Sequence, residues 1–305
     1  MGDRLMGGDN LARRAQRGSK SFGRLAWPIA CWLCATSTAL AFAANENTSP
    51  PPAKPSPPAP TWSLGSVRPF LSGRAIAGFG YGRLALTAGY GKPHWLWVGV
   101  EGLAMITPMY TSVQSGLHAS GVIADLMVTV RRTYAFDHTL IPMAHSIGSD
   151  DLEQAHQPAA QSTALDASVW GFLPYGRWLV TWELTYVRPF GQDSSMLLYE
   201  EIQRAVVTRE GVVTSKIGPM VNLSTAGQIY VGILAEHLSL LGRADPLVFR
   251  IGPNLWFQLS RKWNLYGYAA WPVHGPDHLG AWSGMYGAAG FLYRFATGES
   301  PSQVQ

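Results

Sequence analysis

The sequence predicts an all-β chain, an antiparallel sheet closed into a barrel that crosses a lipid bilayer. Three observations predict it. Apolar residues recur at every second position through most of residues 63–297, as they do along one face of a β-strand. The candidate strands match or exceed the roughly 9–11 residues that a tilted strand needs to cross a bilayer. Only 14% of the 305 residues are charged, while Gly (33), Trp (12) and Tyr (12) are abundant; an average soluble domain is roughly 25% charged.

The alternation is clearest in 247–260, where Leu247, Phe249, Ile251, Leu255, Phe257 and Leu259 share one face and Arg250, Asn254, Gln258 and Ser260 lie on the other. It recurs in 177–187, with Trp178, Val180, Trp182, Leu184 and Tyr186 opposite Glu183 and Thr185. Leu126, Val128 and Val130 oppose Asp125, Thr129 and Arg131, and Leu84, Leu86 and Tyr90 oppose Arg83 and Thr87. In 96–106, Leu96, Val98 and Val100 oppose Trp97 and Glu101. The pattern is weaker in 197–208 and 212–221. Turn signals such as Gly91-Lys92-Pro93, Pro174-Tyr175-Gly176 and Arg209-Glu210-Gly211 separate the segments.

Eleven strands follow, at about 76–90, 94–107, 117–134, 163–173, 177–190, 195–209, 212–222, 227–241, 246–260, 263–272 and 283–296, and 63–73 is the candidate for a twelfth. The expected barrel therefore has twelve strands, within a range of ten to twelve. Eleven alone would set the long loops 137–162 and 273–282 at opposite ends, so a strand is missing or misread in this count. No run of about 18 apolar residues follows residue 62, so helical spans are not expected in the body.

Alternation does not say which face is inside. A soluble barrel binding an apolar ligand would turn the greasy face inward. In lipid the greasy face turns outward, and every backbone N–H and C=O must still be paired, which requires closure. The low charge and the aromatic residues near strand ends (Tyr90, Trp178, Tyr186, Phe295) favour lipid.

The amino terminus supports export. Arg13, Arg14, Arg17, Lys20 and Arg24 precede an apolar run from Leu25 to Leu40, and Ala41-Phe42-Ala43 provides the small-x-small cleavage pattern of a signal peptide. Residues 1–43 carry six basic and two acidic residues, so the whole formal charge of +4 lies there and the body is neutral. Both cysteines, Cys31 and Cys34, fall in this segment, leaving the expected mature chain without a thiol. The domains are then a signal peptide (1–43), a Pro-rich linker (44–62), the barrel (63–297) and a short polar tail (298–305).

The chain ends its patterned region in Gly284-Met285-Tyr286-Gly287-Ala288-Ala289-Gly290-Phe291-Leu292-Tyr293-Arg294-Phe295. In this it resembles bacterial outer-membrane β-barrel proteins, over about residues 70–297 and in a general way. The resemblance implies a Gram-negative outer-membrane location, a lipid bilayer as partner, and help from periplasmic chaperones and the barrel-assembly machinery. It implies that Phe291, Tyr293 and Phe295 form the assembly signal. Most such proteins stop at the final aromatic; this chain continues through 296–305.

The strand register turns Arg83, Glu101, Asp125, Arg131, Glu183, Glu236, Arg250 and Arg294 toward the lumen. Four acids and four bases in a confined interior pair rather than set up a field of one sign, which suits a narrow or plugged barrel. The expected role is passive: a small channel, a ligand-binding barrel or a structural one, with no cofactor, no metal and no nucleic-acid partner. The competing class is a barrel-rim hydrolase built from loop residues Asp150, Asp151, His278 and Ser283, with general-base or nucleophilic chemistry. His274, Asp277 and His278 have a superficial metal-ligand spacing, but Gly275-Pro276 prevents the helix that would align them.

Overall fold

The computed structural model describes residues 67–297, apart from 79, 94–95, 137–139, 155–160, 194, 225–227, 261 and 281–283. The expected signal peptide with Ala41 and Ala43, the linker, the tail and Ser283 lie outside the described residues. Twelve long strands close into one antiparallel barrel. In chain order they begin with β1 (Arg68–Gly78), β2 (Tyr81–Lys92), β3 (Leu96–Ile106), β4 (Tyr110–Ser120) and β5 (Ala124–Ala135). A short β6 (Leu140–Pro142) and helix α1 (Ser149–Gln154) precede β7 (Gln161–Tyr175) and β8 (Trp178–Phe190). A small hairpin, β9 (Met196–Glu200) and β10 (Ala205–Val207), leads to β11 (Val212–Asn222), β12 (Ile229–Leu240), β13 (Leu247–Gln258), β14 (Trp263–His274) and β15 (Tyr286–Ala296). The ring runs β1-β15-β14-β13-β12-β11-β8-β7-β5-β4-β3-β2, and β1 pairs with β15 from Ser72↔Ala296 to Gly78↔Gly290.

The count of twelve holds, with three corrections to its parts. The candidate twelfth strand 63–73 is β1, shifted to Arg68–Gly78, and the segment 76–90 runs across the β1–β2 turn: β1 ends at Gly78, Gly80 adopts φ 76°, and β2 starts at Tyr81. The segment 117–134 is a hairpin, β4 and β5, turning at 121–123. The segment 195–209 is not a barrel strand; it forms β9 and β10, in a separate three-stranded sheet with β6. With 63–73 counted as the twelfth, the strand gained by dividing 117–134 replaces the one lost at 195–209, and the conflict between the long loops disappears.

An even count brings both ends of the barrel to one rim. The connections at that rim, 93–95, 121–123, 176–177, 223–228 and 259–262, are short. The opposite rim carries the long connections 136–160, 191–211 and 275–285.

The faces are those of a barrel in oil. Phe249 and Ile251 are 38% and 40% exposed while Arg250 between them is 1% exposed. Leu86, Val100, Leu117, Val130, Ile217 and Ile233 are likewise exposed on the outside. This overturns the soluble alternative, which needs the apolar face inside. Closure gives every barrel strand a hydrogen-bonded neighbour on both sides, and no described helix is long and apolar enough to cross a membrane. Tyr90, Tyr175, Trp178 and Trp263 face outward near the terminal rim, and Phe190 and Trp271 near the loop rim, in the two interfacial belts that amphipathic rings prefer.

Candidate functional site

Inward positions on the strands supply a lumen of ionic side chains. Arg131 of β5 holds Asp166 of β7 at 2.6 Å. Arg250 of β13 donates to Glu236 of β12 at 2.8 Å, a pair placed directly across the β12–β13 register. Lys216 of β11 donates to Glu183 of β8 at 3.1 Å and lies 3.7 Å from Glu236. It also donates to Tyr286 Oη at 2.9 Å, with its ammonium 4.2 Å from that ring. Because β11 and β15 are four places apart in the ring, this contact crosses the lumen.

Nearer the terminal rim, Glu101 of β3 accepts from both Arg74 of β1 (2.7 Å) and Thr87 (3.1 Å), and its other neighbour is His118 Nδ1 at 2.8 Å. His118 Nε2 lies 3.3 Å from Asp125 Oδ1. Trp97 and Trp170 flank the imidazole, with ring centroids 4.5 Å and 5.3 Å away. Burial makes these contacts count, since an unpaired charge there would carry an uncompensated desolvation cost.

The hairpin β9–β10 turns inward from the loop rim. Its tip, Glu200 to Arg204, connects walls that are far apart. Glu200 Oε1 accepts from Arg131 Nη1 at 2.7 Å, while Arg250 donates to the carbonyls of Gln203 (2.8 Å) and Arg204 (2.6 Å). Strands β5 and β13 stand five places apart in a ring of twelve, so five residues of chain tie nearly opposite walls. Glu200 Oε2 accepts from the Gln203 N–H at 2.6 Å, which closes the tip, and Arg204 takes φ 52° there. Above the tip, Leu198, Ala205 and Val207 pack on Val187, Val212, Leu238, Leu240 and Val248 of the wall. The hairpin is apolar on both faces because both are covered.

The other long connections cap it. Ile141, Ile147 and Leu152 from 136–160 meet Leu197, Tyr199 and Val206 of the hairpin and Leu279 of 275–285. Gly148 and His278 form a parallel bridge, and Asp277 Oδ1 accepts from Arg243 at 2.7 Å and from the Ile147 N–H at 3.0 Å. Burial raises the pKa of the Asp277 carboxyl, and Arg243 pulls it back only in part.

Every inward charge singled out in the sequence takes an inward position. Among those eight, Arg250 and Glu236 pair with each other within ion-pair distance. The remaining partners are Arg74, His118, Asp166, Glu200 and Lys216, which the sequence reading did not name. Arg74 lay outside the segments read as strands, His118 sat in an undivided hairpin, and Lys216 sat in a strand of weak alternation. Asp166 is the exception: it occupies the inward parity of a segment already read as a strand. Glu200 has no periodic signal at all.

The rim residues lie in the cap. Asp151 Oδ2 accepts the Gly148 N–H at 2.7 Å, an N-terminal cap for α1, and Asp150 is exposed. His278 is exposed and joins the cap through its backbone, and His274 ends β14. Among the described residues no His, Asp and Glu cluster has the spacing of a metal site. Phe291, Tyr293 and Phe295 sit on the outward parity of β15, the strand that closes the barrel against β1.

Twelve long antiparallel strands, closed, apolar outside and ionic inside, define an outer-membrane-type β-barrel. No protein-family model matches the sequence, and no curated protein does. Among solved structures, the chain is similar to a membrane protein crystallised in meso (TM-score 0.41, 7% identity, covering 77% of this chain and 86% of that one). It is similar also to the KdgM porin (TM-score 0.37, 8% identity, 74% and 99%). A third is the translocator domain of the autotransporter NalP from Neisseria meningitidis (TM-score 0.35, 10% identity, 88% and 95%).

Proposed function

We propose that the chain is a passive channel of the Gram-negative outer membrane, closed at rest by its own inserted hairpin. The long-loop rim faces the outside of the cell and the short-turn rim faces the periplasm, in keeping with how such barrels insert. Residues 1–43 act as the export signal, and the outward aromatics Phe291, Tyr293 and Phe295 as the assembly signal. The role requires no cofactor and no catalytic step.

One observation carries the reading. The tip Glu200–Arg204 is fastened to Arg131 and to Arg250 on nearly opposite walls. A purely structural barrel would need no charged tether across its bore. A tether of ion pairs and hydrogen bonds under an apolar cap is a barrier that can be withdrawn, because each of its groups can instead be solvated once the bore fills with water.

The experiment is single-channel recording in planar bilayers. The intact protein is expected to be silent or to open briefly. A variant in which residues 196–207 are replaced by a short Gly-Ser link is expected to conduct steadily. Equal, steady conductance from both proteins would show that the hairpin is no barrier and would defeat the reading.

A further inference from the structure

The pairing of lumen charges is uneven around the ring. The inward positions of β15, β1 and β2 carry Arg294, Arg68, Arg74 and Arg83 and no carboxylate. Arg74 stands directly opposite Arg294 in register, and Arg83 is its diagonal neighbour across the β1–β2 pair. Like charges so placed repel. The nearest acid, Glu101 on β3, is already shared by Arg74, Thr87 and His118. Among the described residues no hydrogen bond or ion pair engages Arg83; Glu101 and Glu183 are within electrostatic reach but beyond ion-pair distance. Two residues before it on the same face, the Tyr81 hydroxyl is buried without a hydrogen-bond partner.

This wall is also the one that the hairpin leaves uncovered. The apolar cluster around β9 and β10 takes its wall residues from β7, β8, β11, β12 and β13. Arg74 points inward and is nevertheless 38% exposed, and Arg83, Tyr268 and Tyr286 are partly exposed as well. Water therefore reaches a basic, tyrosine-lined strip beside the plug.

We propose that Arg83, with Arg74 and Tyr81, forms an oxyanion-binding site on the inner wall, taking a small carboxylate- or phosphate-bearing solute. The guanidinium of Arg83 presents paired donors that match such a group, Arg74 adds positive charge, and Tyr81 adds an O–H donor. The site rests on the channel reading only for how the solute arrives. An arginine without a carboxylate beside it, next to a phenol without an acceptor, is an arrangement that a bound oxyanion satisfies.

The test is isothermal titration of the full chain, purified in detergent, with inorganic phosphate and separately with succinate. Saturable binding of at least one probe is expected. Arg83→Gln should weaken it by about tenfold or more, the loss of one charge-assisted contact, and Tyr81→Phe by less. Arg83→Lys, which keeps the charge and loses the fork, should fall between wild type and Arg83→Gln. Heat-modifiable gel mobility checks that each variant still forms the barrel, and should Arg83→Gln fail to fold, Arg83→Lys and Tyr81→Phe decide. Unchanged affinity in the folded variants, or no saturable binding of either probe, overturns the site. Phosphate binding by a barrel that stays silent after hairpin removal would sink the channel reading and leave the site standing; steady conductance without binding of either probe would do the reverse.

Discussion

Glu200, at the tip of the inserted hairpin, and Arg131, on the wall of β5, share a 2.7 Å hydrogen-bonded ion pair across 69 residues of sequence. Both groups are nearly inaccessible, and the same guanidinium binds Asp166 at 2.6 Å. Arg131 is thus the common cation of two acids, one belonging to the wall and one to the hairpin. The asymmetry matters for mutation. Removing the arginine strands two buried carboxylates, whereas neutralising Glu200 leaves Arg131 still paired.

Arg131→Met is therefore expected to destabilise the barrel by about 3–5 kcal/mol, the usual cost of breaking a buried pair from one side. Glu200→Gln should cost about 1–2 kcal/mol, because it keeps the shape and retains an acceptor for Arg131. Denaturant unfolding of detergent-solubilised protein measures both. The order of the two effects is the informative result, and a larger loss in Glu200→Gln would contradict the placement of Arg131.

Gly211 joins the hairpin back to the barrel at β11. It adopts φ 90°, and a Cβ there would lie 1.9 Å from the Val187 carbonyl oxygen. Gly176, in a turn at the opposite rim, has φ 58° and open space around it. Gly211→Ala should cost more than the roughly 1–3 kcal/mol of backbone strain alone, since the contact adds to it, and Gly176→Ala should cost about 1 kcal/mol. The midpoint of heat-modifiability compares them; equal midpoints would mean that the chain does not enter β11 by this route.

The periodic signal worked where a strand separates oil from a polar bore. Phe249-Arg250-Ile251 shows it residue by residue, and so does Leu126 to Arg131. It failed where that contrast is absent. Leu197, Leu198, Val206 and Val207 are buried on both sides of the hairpin, so 195–209 looked like one more span. In β4, Thr111, Ser115 and Ala119 on the outer parity differ little from Ser112 and Gln114 on the inner, and the strand went unrecognised. The turn between β1 and β2 hid in Gly78-Phe79-Gly80-Tyr81-Gly82, where alternating glycines read as one continuous strand. Inward charges could be named from parity alone; their partners depend on which strands become neighbours and on the hairpin's return into the bore, neither of which one segment encodes.

The cap should respond to pH through Asp277, which lies in the connection 275–285. Its folded-state pKa is raised by burial. A raised carboxyl pKa means that the folded state holds the proton more tightly than the unfolded one. The stabilising contribution is fully present below the unfolded pKa and is lost as pH rises through the folded value. The cap should accordingly resist proteolysis in the 143–149 and 275–280 segments better in acid than at neutral pH. Asp277→Asn, which keeps an acceptor for the Ile147 N–H, should flatten this dependence. Protection that falls on acidification would contradict the burial of this group.

The central claim, that oil lies outside this wall and polar contacts lie within, is tested most directly by spin labels on β13. A chain beginning at residue 44 contains no cysteine, so Phe249→Cys, Ile251→Cys and Asn254→Cys each carry a single label in reconstituted vesicles. Power saturation with oxygen and with a water-soluble nickel chelate is the measurement. Labels at 249 and 251 should collide with oxygen and be shielded from nickel, and the label at 254 should show less oxygen contact. The opposite alternation, with 249 and 251 shielded from oxygen and 254 open to it, would contradict the account.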